Sequence, residues 1–224
     1  MNIGLYQNNS TAPTERTTLR RLPDRGSHEA ATIHAILDEA FICHLGFTSD
    51  RGPVVVPTTY GRVGDLLYVH GSPASRMLRT LKDGVPVCLT VSLVDGLVLA
   101  RSTFHHSINY RSVLVFGTAT EVTGLPEKHA ALTAIVEHIV PGRTSEARPA
   151  TDKEVRGTLV LALPIDEASA KVRTGPPIDE AADLELACWG GVLPLANLPG
   201  PPIPDAHVAP GTAVPSSVAG FTRR

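Results

Sequence analysis

The chain has 224 residues, with 20 Lys and Arg against 22 Asp and Glu, a formal net charge of −2 and 19% charged residues. That length holds one sizeable core and makes two full domains a squeeze, and the near-neutral balance supplies no basic field for a nucleic-acid backbone. No run approaches the ~20 apolar residues that span a bilayer, and the first residues are polar without a signal-peptide apolar stretch, so a cytoplasmic protein with no membrane partner is expected.

Residues 1–20 are rich in Thr and Asn, show no periodicity and read as a flexible leader. Ile33, Ile36, Leu37 and Ala40 recur at helical spacing, and Phe41, Cys43, Leu45 and Phe47 then alternate with Ile42, His44, Gly46 and Thr48, which predicts a helix followed by a strand. A second strand is predicted over Val54 to Tyr60, with a hairpin at Gly61 to Asp65 leading into a third at Leu66 to His70.

That third strand runs into Gly71-Ser72-Pro73-Ala74-Ser75-Arg76-Met77-Leu78-Arg79. Ser72 suits an N-cap, Pro73 suits the first helical position, and Gly84 suits the residue after the helix end. Ala74, Met77, Leu78 and Leu81 form an apolar stripe, which leaves Ser75, Arg76 and Arg79 outside. A helix start with a hydroxyl and two guanidiniums suits a phosphate, and a solvated face with surface arginines has the same pattern.

Further on, Val85, Val87, Leu89, Val91 and Leu93 alternate, Asp95-Gly96 reads as a two-residue hairpin turn, and Leu97 to Thr103 as the returning strand. Strands over Val113 to Val122 and Thr158 to Leu163 enclose a helix that starts at Pro126 with the stripe Leu132, Ile135, Val136 and Ile139. Thr151 with Glu154 predicts a capping box. About seven short strands joined mostly by hairpins favour an antiparallel barrel, and the Pro-rich stretch after Pro199 reads as an extended tail.

Cys43, Cys88 and Cys188 each lie in apolar surroundings and are expected as buried reduced thiols, with no metal site. Neither a Gly-x-Gly-x-x-Gly turn nor a Walker loop is present. His105 and His106 fall between strands and suit a loop or dimer contact better than a metal site. His70 lies just before the phosphate helix. Trp189, the single Trp, is followed by Gly190-Gly191, so it suits either the core or the cover of a flat ring.

His70, Gly71, Ser75-Arg76, Asn109-Tyr110-Arg111-Ser112-Val113, Phe116-Gly117 and Trp189-Gly190-Gly191 together resemble the pyridoxamine 5′-phosphate oxidase-like family, within it the nitroimidazole-reductase-like, flavin-nucleotide-binding branch. The resemblance spans about Arg21 to Pro204 and implies one domain over 21–204 with a flexible tail over 205–224. It implies a mainly β fold, a six-stranded antiparallel Greek-key split β-barrel with a few flanking helices, assembled as a homodimer with FMN in each of two interface clefts. Val55, Val56, Pro57 and Thr58 would lie along the flavin ring, Ser75 and Arg76 would hold its phosphate, and His70 and Gly71 would lie next to the ring or ribityl chain. Arg111 and Ser112 fall where the partner subunit reaches the flavin, and Trp189 where a late tryptophan closes the cleft.

Two departures bear on the substrate. Met77 stands where pyridoxamine phosphate oxidases carry a second basic residue, and Trp189 is followed by Gly, Gly, Val, Leu and Pro in place of their Arg and His. The resemblance therefore implies an FMN-dependent oxidoreductase that passes electrons from NAD(P)H to a small electron-poor acceptor such as a nitroaromatic, with His70 as proton donor or as a ribityl contact. The alternative is a non-catalytic flavin or haem carrier, in which His70 or His105 would ligate haem; a deazaflavin is a third possibility.

Overall fold

Two antiparallel sheets enclose one main core in the computed structural model, which describes residues 11–222. In chain order the elements are β1 (Gly26–Ser27), α1 (Ala30–Glu39), β2 (Ile42–Ser49), β3 (Gly52–Thr59), β4 (Gly61–Val63), β5 (Leu66–Gly71), α2 (Arg76–Lys82), β6 (Pro86–Leu99), β7 (Ser107–Thr118), β8 (Thr120–Glu121), α3 (Leu125–Ile139), α4 (Asp152–Arg156), β9 (Leu159–Pro164), β10 (Glu167–Arg173), β11 (Gly191–Pro194) and α5 (Ser216–Ala219). The larger sheet runs β1-β10-β7-β6-β2-β3 with β11 added to β6, and the smaller runs β4-β5-β9-β8. The fold is mainly β with a few flanking helices, as expected, although seven strands exceed four residues where the resemblance implied six.

Alternation does most of the placing. Cys43, Leu45 and Phe47 of β2 and Val87, Leu89 and Val91 of β6 point into the core, while His44 and Thr48 stay outside. Helix α1 adds Ile33, Ile36 and Leu37, each at most 2% exposed and each worth about 1.5–3 kcal/mol of burial. Outside the smaller sheet, α3 packs Ala131 and Ile135 on Tyr68, Val160 and Ala162. It comes so close to β4 that a Cβ on Gly61 would stand 2.7 Å from the Ile135 Cα.

Several sequence expectations need correction. Asp95-Gly96 is no hairpin: β6 continues to Leu99, with a bulge between Val94 and Gly96, and Leu97 and Val98 pair with Ile108 and Ser107 of β7. A type I′ turn needs positive φ, which Gly96 lacks; it is buried instead, with its missing side chain leaving room for the Leu193 backbone of β11. The chain reverses later, in a 3-10 turn over Thr103–His105. Strand β10 has no sequence signal, because Glu-Ala-Ser-Ala-Lys-Val-Arg has small residues on both faces and no alternation, yet Ala168, Ser169 and Ala170 are all buried.

Both expected flexible ends are anchored where they are described. Thr11 bonds to His28 and Ala168, Arg16 pairs with Glu167 and lies over the Phe116 ring at 4.8 Å, and Thr17 is 1% exposed. Residues 1–10 of the leader lie outside the described residues. Of the tail, Ser216 and Ser217 at the start of α5 donate to Glu146, which holds that carboxyl down to about 2. Cys43 is buried, with its thiol pushed up to about 12 by desolvation, but Cys188 is exposed, its Sγ 3.7 Å from the Arg101 carbonyl. Phe41 and Val136, read as inward-facing, are 43% and 41% exposed.

Candidate functional site

The stretch after β5 differs in detail from its sequence reading, and the difference matters for the site. Ser72 does not cap the helix; it closes a turn in which the Ser75 N–H donates to its carbonyl at 2.8 Å, and α2 begins at Arg76 with Ser75 as N-cap. The Ser75 hydroxyl accepts from the Leu78 N–H at 3.4 Å, so its own proton remains free to donate outward. Ala74 thereby leaves the apolar stripe, whose buried members are Leu78 and Leu81, and Gly84 ends the helix with φ +87° as expected. Arg79 donates its backbone N–H to the Ser75 carbonyl, but the guanidiniums of Arg76 and Arg79 make no hydrogen bond or ion pair among the described residues.

Just upstream, His70 pairs with Val160 and Gly71 with Leu159 across β5 and β9. The His70 Nδ1 is buried and finds no partner among the described residues, and burial lowers the ring's pKa from 6.5, so the imidazole is neutral near pH 7. A buried nitrogen left unpaired costs about 1–3 kcal/mol, which a group from outside the chain could relieve. The Nε atoms of Arg101 and Arg173 are also orphaned, but each of those guanidiniums bonds elsewhere, to Asp179 and to Asn109.

Strand β3 packs against β5 and is the outer strand of the larger sheet. Its Pro53, Val55 and Pro57 are exposed, Val55 by 65%, while Val56 and Thr58 turn half inward. An edge strand that carries two prolines and an open apolar side chain offers a flat surface without inviting another strand. Val55 to Thr58 are thus on β3, which touches β5, and His70, Gly71, Ser75 and Arg76 on β5 and the start of α2, and their chemistry fits the flavin the resemblance implies: an apolar edge for a ring, an orphaned nitrogen, and an unpaired guanidinium with a free hydroxyl for a phosphate.

The remaining expected site residues lie apart in the same chain. Arg111 and Ser112 are on β7, three strand spacings or about 14 Å from β3. Arg111 is already committed: it pairs with Glu39, and with Asp95 at 2.7 Å, and those bonds raise its pKa further. This trio lines a cavity of about 530 Å³ together with Phe41, Ile42 and Val94. Ser112 donates to the Lys171 carbonyl at 3.3 Å.

Trp189 is 67% exposed and folds back over Gly191, where an added Cβ would meet its ring at 2.8 Å. It precedes β11, whose Gly191 pairs with Leu99, whereas α2 leads into the other end of β6 at Pro86, up to about 43 Å away along the strand. Its segment is pinned to the sheet by Arg101 with Asp179, 2.9 Å, and by Arg173 with Asn109 and the Gly175 and Pro176 carbonyls. Neither pin has a sequence signal, since side-chain partners as far apart as Arg101 and Asp179, or Arg173 and Asn109, leave no local pattern. His105 lies 3.9 Å from Glu180, next to Phe104, which is 88% exposed. The His106 Nδ1 accepts from the Ala100 N–H at 3.2 Å.

Comparison with known proteins gives this geometry a context. The sequence pattern described as pyridoxamine 5′-phosphate oxidase matches residues 29–172. The flavocytochrome Anf3 from Azotobacter vinelandii is 38% identical, over 95% of this chain and 99% of its own, with a TM-score of 0.88. A FAD and haem binding protein from Mycobacterium smegmatis is 39% identical over 89% of this chain and 98% of its own, TM-score 0.85. A candidate 5-nitroimidazole antibiotic resistance protein from Bacteroides thetaiotaomicron is 29% identical over 66% of this chain and 86% of its own, TM-score 0.54. No curated protein matches. With the family pattern covering most of the barrel and two relatives above 30% identity along nearly their whole length, the chain belongs to the pyridoxamine 5′-phosphate oxidase family.

Proposed function

We propose that the protein is a flavin-binding redox protein whose cofactor lies in a cleft between two copies of the chain. The observation that carries this reading is the near full-length similarity to a flavocytochrome and to a FAD and haem binding protein. The orphaned His70 Nδ1 at the end of β5 and the unpaired Arg76 guanidinium at the start of α2 support it from within the chain. One copy contributes the β3 edge, His70, Gly71, Ser75 and Arg76; the other contributes Trp189 and the β7 region around Arg111 and Ser112, which one chain holds too far away.

A bound flavin supplies hydride acceptance and donation, which would couple a reduced nicotinamide donor to a small electron-poor acceptor. The chain's residues bind and orient. Ser75 and Arg76 hold a phosphate, Val55 to Thr58 back the ring, and Trp189 from the partner keeps water from its open face. His70, neutral through burial, offers its Nδ1 to the cofactor as a hydrogen-bonding group, a better match to its depressed pKa than proton donation from an imidazolium. The small and apolar residues after Trp189 favour a flat, neutral acceptor over pyridoxamine phosphate, whose phosphate would lack a cationic grip.

Titration with flavin, followed by fluorescence quenching and light scattering on the same sample, tests the shared cleft. Saturable binding by a particle of twice the 23.7 kDa chain mass is expected, and full binding by a monomer would overturn it. A haem as second cofactor is favoured by the names of the same two relatives. Within this chain His105 is the better ligand: its ring meets the exposed Phe104 ring, 5.3 Å between centroids, and lies 3.9 Å from Glu180, whose stretch also exposes Ile178 and Leu184, apolar side chains that suit a porphyrin face. Loss of a Soret band in His105→Ala but not in His70→Ala would support that assignment, and the reverse would refute it.

A further inference from the structure

A second cavity, of about 360 Å³, opens beside α2, between that helix, β8, α3 and α4. Its wall begins at Pro73, two residues before Ser75, and at Leu159, the β9 residue paired with Gly71. Four cations face it from three helices: Arg79 and Lys82 of α2, Lys128 of α3 and Arg156 of α4. Two carboxylates face it as well. Glu121 is taken up by Lys82 at 3.0 Å, and Asp83 is exposed at the helix end. Arg156 also meets Asp152 at 3.4 Å, with both side chains largely in water.

Lys128 stands out. It is 9% exposed, on the inner side of α3 where a helix of this kind puts apolar residues, and its ammonium has no hydrogen bond or ion pair among the described residues. A lysine whose stem is buried and whose head opens into a cavity with spare positive charge is arranged for an anion from outside the chain. Arg79, equally unpaired, stands one turn from Arg76, about 5–6 Å between their Cβ atoms, a spacing that the two phosphates of a pyrophosphate can bridge.

Resting on the flavin site proposed above, we propose that this cavity binds the adenylate phosphate of a nucleotide, with Lys128 and Arg79 as its principal ligands and Arg156 at the rim. That phosphate has two possible sources: the adenylate half of a flavin dinucleotide whose flavin-side phosphate lies at Ser75 and Arg76, or a separate nucleotide bound next to the flavin. Each charge-assisted contact is worth roughly a tenfold to hundredfold change in affinity. Because the contacts are ionic and near the surface, binding should weaken as salt rises.

The test measures affinities for FAD, FMN and ADP by calorimetry, on wild type, Arg79→Gln and Lys128→Met. Arg79→Gln is an exposed change that leaves the core alone, and Lys128→Met keeps the buried stem; circular dichroism checks that both fold. FAD binding at least tenfold tighter than FMN, with both variants erasing the difference and leaving FMN unchanged, establishes the cavity as the dinucleotide's second phosphate site. ADP binding that adds to FMN and is lost in both variants establishes it as a site for a separate nucleotide. FMN binding intact, with no FAD preference and no ADP binding, overturns the cavity proposal and leaves the flavin site standing. ADP binding that depends on Lys128 in a protein that takes up neither flavin does the opposite, upholding the cavity and refuting the flavin site.

Discussion

Replacing Arg111 by methionine would leave the carboxylates of Glu39 and Asp95 facing one another across the 530 Å³ cavity with no cation between them. Removing one member of a buried ion pair costs about 3–5 kcal/mol, since the survivors keep their desolvation and lose their attraction. Here the side chains of Arg111, Glu39 and Asp95 are 28%, 22% and 31% exposed, so water screens part of the loss and about 2–4 kcal/mol remains. For a chain of this length that is a fall in melting midpoint of roughly 5–15 °C. Differential scanning calorimetry at neutral pH measures it, and Glu39→Gln with Asp95→Asn in the Arg111→Met background should recover part of the loss by removing the two like charges left at the cavity. An Arg111→Met midpoint equal to wild type would show that the trio contributes nothing to stability.

Arg76→Ala should weaken flavin binding by about tenfold to a hundredfold, the value of one charge-assisted contact, and Ser75→Ala by less, both read from a fluorescence titration; unchanged affinities would place the phosphate elsewhere. His70 has a folded pKa below the ordinary 6.5, so the unfolded chain binds the extra proton first; the stability that neutral His70 contributes is full above 6.5 and is lost as pH falls from there through the folded value. Urea melts across that window should show a slope that His70→Gln flattens, and parallel slopes would exclude the effect. Gly61→Ala drives a Cβ into the α3 backbone and should cost about 1–3 kcal/mol or prevent folding, whereas a neutral thermal melt would mean the helix can shift. A thiol reagent under native conditions should titrate Cys188 quickly and leave Cys43 untouched until unfolding; rapid modification of Cys43 would contradict its burial.

Strong local periodicity made part of the structure legible. The alternation of β2 and β6, the stripe of α1 and the Thr151–Glu154 capping box are local signals, and each appears where the sequence put it. Ser72 misled because Ser-Pro fits an N-cap and N1 equally well as a turn, and only the packing of Leu78 and Leu81 decides that the helix starts three residues later. Asp95-Gly96 misled because the same dipeptide that makes a hairpin also makes a bulge, and the choice rests with β11, a strand nearly 100 residues downstream. In the candidate site, the closeness of His70 to Ser75 and Arg76 along the chain follows from a strand and a helix that adjoin in sequence. Lys128 was not legible, since its burial at a cavity shared with α2 and α4 is a matter of tertiary packing, and in sequence it is one more lysine in the first turn of a helix.

The central claim, a flavin held where β5 meets α2, is met most directly by the absorption spectrum of the purified protein before and after addition of FMN and FAD. The account predicts flavin bands that remain with the protein through gel filtration, and that are lost or weakened in Arg76→Ala. A wild-type protein that elutes without flavin absorbance after incubation with either nucleotide would contradict it.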